Sequence, residues 1–304
     1  MAIKRGAGAF MALAATALAP MGQPATAQEV PAAIFTDPVR DAKHPARMEV
    51  LHIPSGGVAV NGLAYVAAGA GPHPVVLLCH GLPGNEKSLD LAQAMRRAGW
   101  TVITFNYRGS WGSPGSYRFA NDLEDADAVL AWLRTPANAA SLGIDPKRIV
   151  MMGHSLGGWV TALTAAHDPA LIGAALISPG NIGLLGKMPR EAAAGFFTEN
   201  GMEALADTSG AIMADEAIAH ADAWDFVKAA PRLVGTTLFV LTSDDGLAPE
   251  ADKLAAAVRA AGGTKLSTLH VATDHSWSDR RIRLESEIIR WLDGLGRGGS
   301  AGRP

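Results

Sequence analysis

Short, almost continuously apolar runs alternate with longer segments of helical periodicity through most of this chain. The apolar runs predict buried strands, at 74–79, 100–107, 148–152, 171–178, 236–242 and 265–271. The other periodic segments predict helices, at 88–98, 123–134, 155–167, 250–261 and 279–295. Two earlier strands, 48–53 and 58–67, flank a Pro-Ser-Gly-Gly turn and predict a hairpin. The pattern predicts an α/β fold, with a mostly parallel, doubly wound sheet, antiparallel N-terminal strands and helices on both faces.

One block interrupts this alternation. Residues 181–232 hold no convincing strand but several helix-compatible stretches, near 191–197, 202–205, 211–220 and 224–229. We expect them to form a helical cap inserted into a core of residues 47–180 and 233–295, over the carboxyl edge of the sheet where ligands bind. The alternative is a set of peripheral helices that do not contact the site.

The N-terminus has the pattern of a signal peptide. Lys4 and Arg5 precede an apolar segment at 6–19, and Ala25-Thr26-Ala27 offers small residues for cleavage before Gln28. We therefore expect residues 1–27 to be removed and the protein to be periplasmic or secreted. The alternative is an uncleaved anchor, although the segment is shorter than the ~20 residues of a membrane span.

The mature chain is then expected to begin with a surface arm at 28–46, which contains three prolines, and to end in a flexible tail at 296–304. No later stretch is apolar and long enough to predict a stable membrane span after signal cleavage.

The composition of the chain limits which partners and cofactors are expected. The chain is 48% hydrophobic with a formal net charge of −3, and no basic run predicts a nucleic-acid partner. The single cysteine, Cys79, ends an apolar run, so we expect a buried thiol. No H-E-x-x-H motif, cysteine pair or Gly-rich nucleotide loop is present, so neither a metal nor a cofactor is predicted.

The most informative motif is Gly153-His154-Ser155-Leu156-Gly157, which fits G-x-S-x-G. A predicted strand precedes it and a predicted helix follows, which is the context in which this turn raises a nucleophilic serine hydroxyl. Gly153 and Gly157 are expected because the turn is sharp and a Cβ at either position would collide with the strand or helix. His154 fills a variable position of the motif.

Such a serine needs a base and an acid, which in this fold follow it in the order acid, then histidine. His275 is the only histidine in a suitable late loop, after the strand 265–271. Asp244 and Asp245 both follow the strand 236–242. Asp245 is favoured because it lies in an Asp-x-x-Ala-Pro arrangement ending at Pro249, and Asp244 stays the alternative acid.

A third element predicts stabilisation of a negative charge. The loop His80-Gly81-Leu82-Pro83-Gly84 follows the central strand, where it can direct a backbone N–H at a developing oxyanion. The expected donors are the N–H groups of Leu82, since Pro83 has none, and of Leu156, at a helix N-terminus. His80 and Gly81 are expected to support this loop.

Together with Asn106-Tyr107-Arg108-Gly109-Ser110, these motifs resemble the α/β-hydrolase superfamily over essentially the whole mature chain. Within it the chain looks most like the dienelactone-hydrolase-like and prolyl-oligopeptidase-like branch, although dienelactone hydrolases carry a cysteine where this chain has Ser155. The resemblance implies a serine hydrolase that cleaves small-molecule carboxylic esters through an acyl-enzyme, and the predicted signal peptide implies that it is exported. An amidase or peptidase with the same triad is the alternative, and a non-catalytic binding protein is a third hypothesis.

Overall fold

The computed structural model describes residues 29–297, which are built around an eight-stranded sheet. Its strands are β1 (Arg47–Ser55), β2 (Val58–Val66), β3 (His73–Cys79), β4 (Thr101–Phe105), β5 (Ile144–His154), β6 (Gly173–Ile177), β7 (Leu238–Thr242) and β8 (Leu266–His270). Their spatial order is β1-β2-β4-β3-β5-β6-β7-β8. The pairs β1–β2 and β2–β4 are antiparallel and all other pairs are parallel. This confirms the predicted mostly parallel sheet with antiparallel N-terminal strands.

Helices cover both faces of the sheet. They are α1 (Leu89–Arg97), α2 (Phe119–Arg134), α3 (Pro136–Leu142), α4 (Leu156–Ala165), α5 (Ile182–Leu185), α6 (Arg190–Glu199), α7 (Gly210–Ala219), α8 (Ala248–Ala260) and α9 (Arg281–Arg297). One apolar cluster joins the sheet to α1 and α9, and the other joins it to α2, α4 and α8. The central strands therefore bury both of their faces.

The sequence of β3 is apolar from Val75 to Cys79 because both faces of the strand are covered. Val75 and Leu77 belong to the cluster on one face, whereas Val76 and Leu78 belong to the cluster on the other. All four are buried. Because side chains alternate across a strand, a strand covered on both faces needs apolar residues at every position.

Several element boundaries differ from the predicted ones. Helix α2 begins at Phe119 instead of residue 123, because the carboxylate of Glu216 accepts hydrogen bonds from the N–H groups of Phe119 (2.9 Å) and Ala120 (2.8 Å). The amides of a first helical turn have no acceptor within the helix, and here a distant side chain accepts their hydrogen bonds. Helix α3 was not predicted, and β5 is longer at both ends than 148–152. Helix α9 ends at Arg297, two residues inside the predicted tail, and the rest of the tail lies outside the described residues.

Between β6 and β7 the chain forms α5, α6, α7 and a 3-10 helix at Phe226–Arg232, and residues 178–237 add no strand to the sheet. We call residues 181–232 the cap segment. Backbone hydrogen bonds tie it to the loop after β4, since Trp111 N donates to Ala204 O (2.9 Å) and Ala206 N donates to Gly109 O (2.7 Å). The division of the chain into core and cap domains stays a prediction.

The N-terminal part of the described chain lies against the helices of one face. A 3-10 turn at Ala32–Ile34 receives hydrogen bonds from the Arg97 side chain of α1, to Ala33 O (2.5 Å) and Ile34 O (3.0 Å). The predicted signal peptide, 1–27, lies outside the described residues. Within residues 29–297, no helix has the length and apolar character that crossing a bilayer requires.

Candidate active site

The serine turn connects β5 to α4 and holds its serine in strained backbone. Ser155 has φ 57° and ψ −119°, an unusual conformation for a residue with a Cβ. A Cβ at Gly153 would lie 2.2 Å from the backbone carbon and oxygen of Gly157, and one at Gly157 would lie 2.2 Å from Cys79 O. Both positions therefore need glycine, because the strand, turn and helix pack backbone against backbone.

Asp245 and His275 meet beside this turn. Asp245 follows β7, His275 follows β8, and His275 Nδ1 donates to Asp245 Oδ2 at 2.6 Å. The Asp245 side chain is only 3% exposed. Burial by itself raises the pKa of this carboxyl, but hydrogen bonds from His275 and from Leu247 N–H (2.9 Å) outweigh it and lower the pKa to about 2. Asp245 is therefore a carboxylate at neutral pH.

The neighbouring Asp244 points elsewhere. Its Oδ1 lies 3.0 Å from Nε2 of His270 at the exposed end of β8, and its backbone N–H donates to Thr273 O. Each of the two consecutive aspartates thus pairs with a different histidine. The structure brings Asp245, and not Asp244, to His275.

The loop after β3 lies against the serine turn. A Cβ at Gly81 would lie 3.0 Å from the Cβ of Ser155, which is closer than ordinary side-chain contact, so glycine suits this approach of the loop to the turn. His80 is buried, its Nδ1–H donates to Gly81 O (2.8 Å), and its ring packs against Tyr107. Because burial disfavours the charged imidazole, the pKa of His80 falls to about 4. His80 therefore holds the loop as a neutral group, with its ring directed away from solvent.

The two candidate oxyanion donors flank Ser155. Leu82 and Leu156 line the same cavity as Ser155 and His275. Among the described residues, no acceptor takes the backbone N–H of Leu82, and Leu156 is the first residue of α4, where the amide has no partner within the helix. Both amides are thus available to a ligand.

This cavity has a volume of about 320 Å³ and lies between the sheet edge and the cap segment. Its cap residues include Ile182, Leu184, Leu185, Phe196, Phe197 and Asn200. A second, smaller cleft of about 190 Å³ shares Leu82, Ser155, Asn200 and His275 with it. Polar groups line the smaller cleft, among them Asn85, Glu86 and Ser276. The candidate site therefore offers one apolar and one polar side to a bound molecule.

Sequence reasoning missed two residues that hold the His275 loop. His154 donates from Nε2 to the backbone oxygen of His275 (2.7 Å), and Trp277 donates from its indole to Ser178 Oγ (3.0 Å). Ser178 Oγ in turn lies 2.7 Å from Ser243 Oγ, next to the acid loop. No signal in the sequence pairs these residues, because each bond joins segments that are far apart along the chain.

Residues 29–297 hold no group of three or more His, Cys, Asp or Glu side chains placed to bind a metal ion. A serine hydroxyl, an imidazole and a carboxylate, those of Ser155, His275 and Asp245, line one cavity at this site. Such groups act without a cofactor in acyl transfer.

Comparison with known proteins places the chain in a family. An uncharacterized protein of Mycobacterium tuberculosis is 32% identical over 126 residues, which is 41% of this chain and 43% of that protein. The match thus spans about two fifths of the relative. An esterase from Pyrobaculum calidifontis has a similar fold, with a TM-score of 0.61 and 18% identity over 84% of this chain and 88% of that one. The Pyrococcus horikoshii acylaminoacyl peptidase also has a similar fold, with a TM-score of 0.60 and 15% identity over 82% of this chain and 41% of that one.

Residues 76–287 match the profile described as the alpha/beta hydrolase family. This match covers more than half of the sequence, and the chain belongs to the alpha/beta hydrolase family.

Proposed function

We propose that the protein is a serine hydrolase that cleaves carboxylic esters through an acyl-enzyme on Ser155. The observation that supports this most is the pairing of His275 with the buried Asp245 carboxylate, in a cavity that Ser155 also lines. Because Asp245 occupies Nδ1 of the imidazole, Nε2 is left free to take a proton. This is the tautomer that a general base for a serine requires.

In the proposed reaction, His275 Nε2 accepts the Ser155 proton as Oγ attacks the ester carbonyl. Charge develops on the carbonyl oxygen, and the N–H groups of Leu82 and Leu156 stabilise it. The imidazolium, held by Asp245, then protonates the departing alcohol, which leaves the acyl group on Ser155. A water molecule activated by His275 attacks this second ester, and the acid is released with Ser155 restored.

The cavity favours an ester with an apolar arm. Its cap residues are mostly aliphatic or aromatic, and its volume of about 320 Å³ holds roughly ten water-sized groups of ~30 Å³. Burying one methylene group contributes about 0.8 kcal/mol, which corresponds to about fourfold in kcat/KM. We expect kcat/KM to rise by about this factor per methylene and to level off once the acyl chain fills the cavity.

A fluorophosphonate probe tests the nucleophile. We expect one covalent adduct per folded protein, located on Ser155 by peptide mass spectrometry, and none on Ser155→Ala. Folded protein that stays unlabelled at Ser155 would overturn the proposal.

A panel of p-nitrophenyl esters beside aminoacyl p-nitroanilides then tests the substrate, since faster turnover of the anilides would indicate an amidase or peptidase.

We also propose export, which the segment at 1–27 suggests through its basic start, apolar stretch and small residues before Gln28. The intact mass of protein recovered from the periplasm or medium tests this. We expect a chain that begins at Gln28, whereas a full-length chain in the membrane fraction would indicate an uncleaved anchor.

A further inference from the structure

His154 precedes the candidate nucleophile and is buried between two loops of the site. Its Nε2–H donates to the backbone oxygen of His275 at 2.7 Å, a contact between residues 121 positions apart in the chain. The two imidazole rings have their centroids 4.6 Å apart at an interplanar angle of 45°. His154 is 6% exposed, and the hydrogen bond is partly buried.

The contact fixes the tautomer of His154. Since a carbonyl only accepts hydrogen bonds, Nε2 carries the proton and Nδ1 carries a lone pair, which has no partner among the described residues. Burial lowers the pKa of His154 to about 4, so the ring is neutral at pH 7. Its charged or titratable surroundings are His275, Arg281 and Asp245. A neutral His154 adds no positive charge beside the imidazolium that forms on His275.

We infer that His154 is a positioning residue, which ties the loop of the general base directly to the serine turn. Asp245 holds the His275 ring from its Nδ1 side, and Trp277 holds the loop through Ser178. Within residues 29–297, His154 adds the one direct hydrogen bond between the His275 backbone and the segment that carries Ser155. It therefore sets the position of the base relative to the nucleophile. The inference rests on the proposed function, since it concerns the same reaction.

The geometry supplies a matched pair of variants. In His154→Gln, the amide nitrogen lies about as far along the side chain as Nε2 and can donate to His275 O. In His154→Asn the same amide is one methylene shorter and falls short of it. His154→Phe keeps the ring but has no donor. His167→Phe is the control, since His167 is a half-exposed histidine beyond the far end of α4 that pairs with Asp127.

The kinetic constants are normalised to active sites titrated with fluorophosphonate, so that a lower fraction of folded protein does not change the measured kcat. We expect His154→Asn and His154→Phe to lower kcat by about 10- to 100-fold with KM changed less than about twofold, because displaced reacting groups slow the chemical step more than binding. We expect His154→Gln to recover kcat to within about threefold of the wild type, and His167→Phe to change neither constant.

Two results would overturn the inference. One is a His154→Asn or His154→Phe enzyme with wild-type kcat per titrated site, which would limit His154 to stabilising the fold. The other is a His154→Gln enzyme as slow as His154→Asn, which would show that the bond to His275 O does not matter. Failure of the proposed function is distinct, since then the wild type itself is not labelled at Ser155.

Discussion

Two buried neutral histidines make the stability of this protein depend on pH. The pKa values of His80 and His154 fall from an ordinary 6.5 to about 4, because burial disfavours the imidazolium. Between these two values the unfolded chain binds protons that the folded chain does not, so the folded state loses stability as the pH falls. The contribution is complete above pH 6.5 and is lost as the pH falls towards 4. Each pH unit below 6.5 lowers the free energy of unfolding by about 1.4 kcal/mol per buried histidine, so each histidine destabilises the folded state by about 2 kcal/mol at pH 5.

The total pH dependence does not isolate this effect, because Asp122 acts in the opposite direction. Burial raises the pKa of the Asp122 carboxyl well above its ordinary value, so the folded chain binds a proton there that the unfolded chain does not. That contribution grows as the pH falls from the folded pKa towards 3.8. A comparison of variants removes it, because Asp122 is common to both proteins.

The variant to compare is His80→Asn. The asparagine amide can replace Nδ1 as the donor to Gly81 O, but it does not titrate. We expect this variant to be less stable than the wild type at pH 7.5, since it loses the ring contact with Tyr107. The difference in the free energy of unfolding between the two proteins should then shrink by about 2 kcal/mol at pH 5, because only the wild type has a buried histidine at this position that opposes protonation.

Urea unfolding at pH 7.5, 6.5, 5.5 and 5.0, followed by the fluorescence of the seven tryptophans, measures the difference. Stability curves of the two proteins that run parallel across this range would refute the reasoning. They would mean that His80 is protonated in the folded protein, or exposed to water.

Three further predictions concern the acid, the serine turn and the cap segment. Asp245→Asn should lower kcat by about 10⁴-fold on p-nitrophenyl butyrate, because the amide favours the wrong imidazole tautomer, whereas Asp244→Asn should change it less than about threefold; the reverse order would assign the acid to Asp244. Gly157→Ala should lower the free energy of unfolding by about 3 kcal/mol or more, measured by thermal unfolding, and abolish fluorophosphonate labelling, since the added Cβ meets Cys79 O. Gly294→Ala, with open space around it, is the control that should not destabilise, and equal melting temperatures for both would contradict the packing argument. Glu216→Ala should cost about 1 to 2 kcal/mol through the uncapped start of α2, and an unchanged melting temperature would show that water replaces the carboxylate there.

The regular parts of the fold could be predicted because their signals are local. Residues 75–79 of β3 and 149–152 of β5 are apolar at successive positions, and this follows from burial on both faces of the sheet. The serine turn is also local at Gly153, since a Cβ there would meet the backbone of Gly157 four residues later. The order of Ser155, an aspartate and His275 along the chain follows from the order of the strands that carry them.

Element boundaries were less predictable where a distant residue sets them. Helix α2 starts four residues earlier than its pattern indicates, because Glu216, almost a hundred residues away, accepts the amides of its first turn. The choice between Asp244 and Asp245 was open for a similar reason. Both follow the same strand, and only the positions of His270 and His275 show which aspartate meets which histidine.

The sequence by itself therefore determined the sheet, the serine turn and the set of groups from which the candidate site is built. These depend on the spacing of residues within one segment, where side-chain periodicity and backbone sterics act directly. Only the tertiary structure decided that Asp245 pairs with His275, that His154 holds the His275 backbone, and that apolar cap residues face Ser155. Such contacts depend on the packing of segments far apart in the chain, and no local pattern of residues encodes their distance or direction.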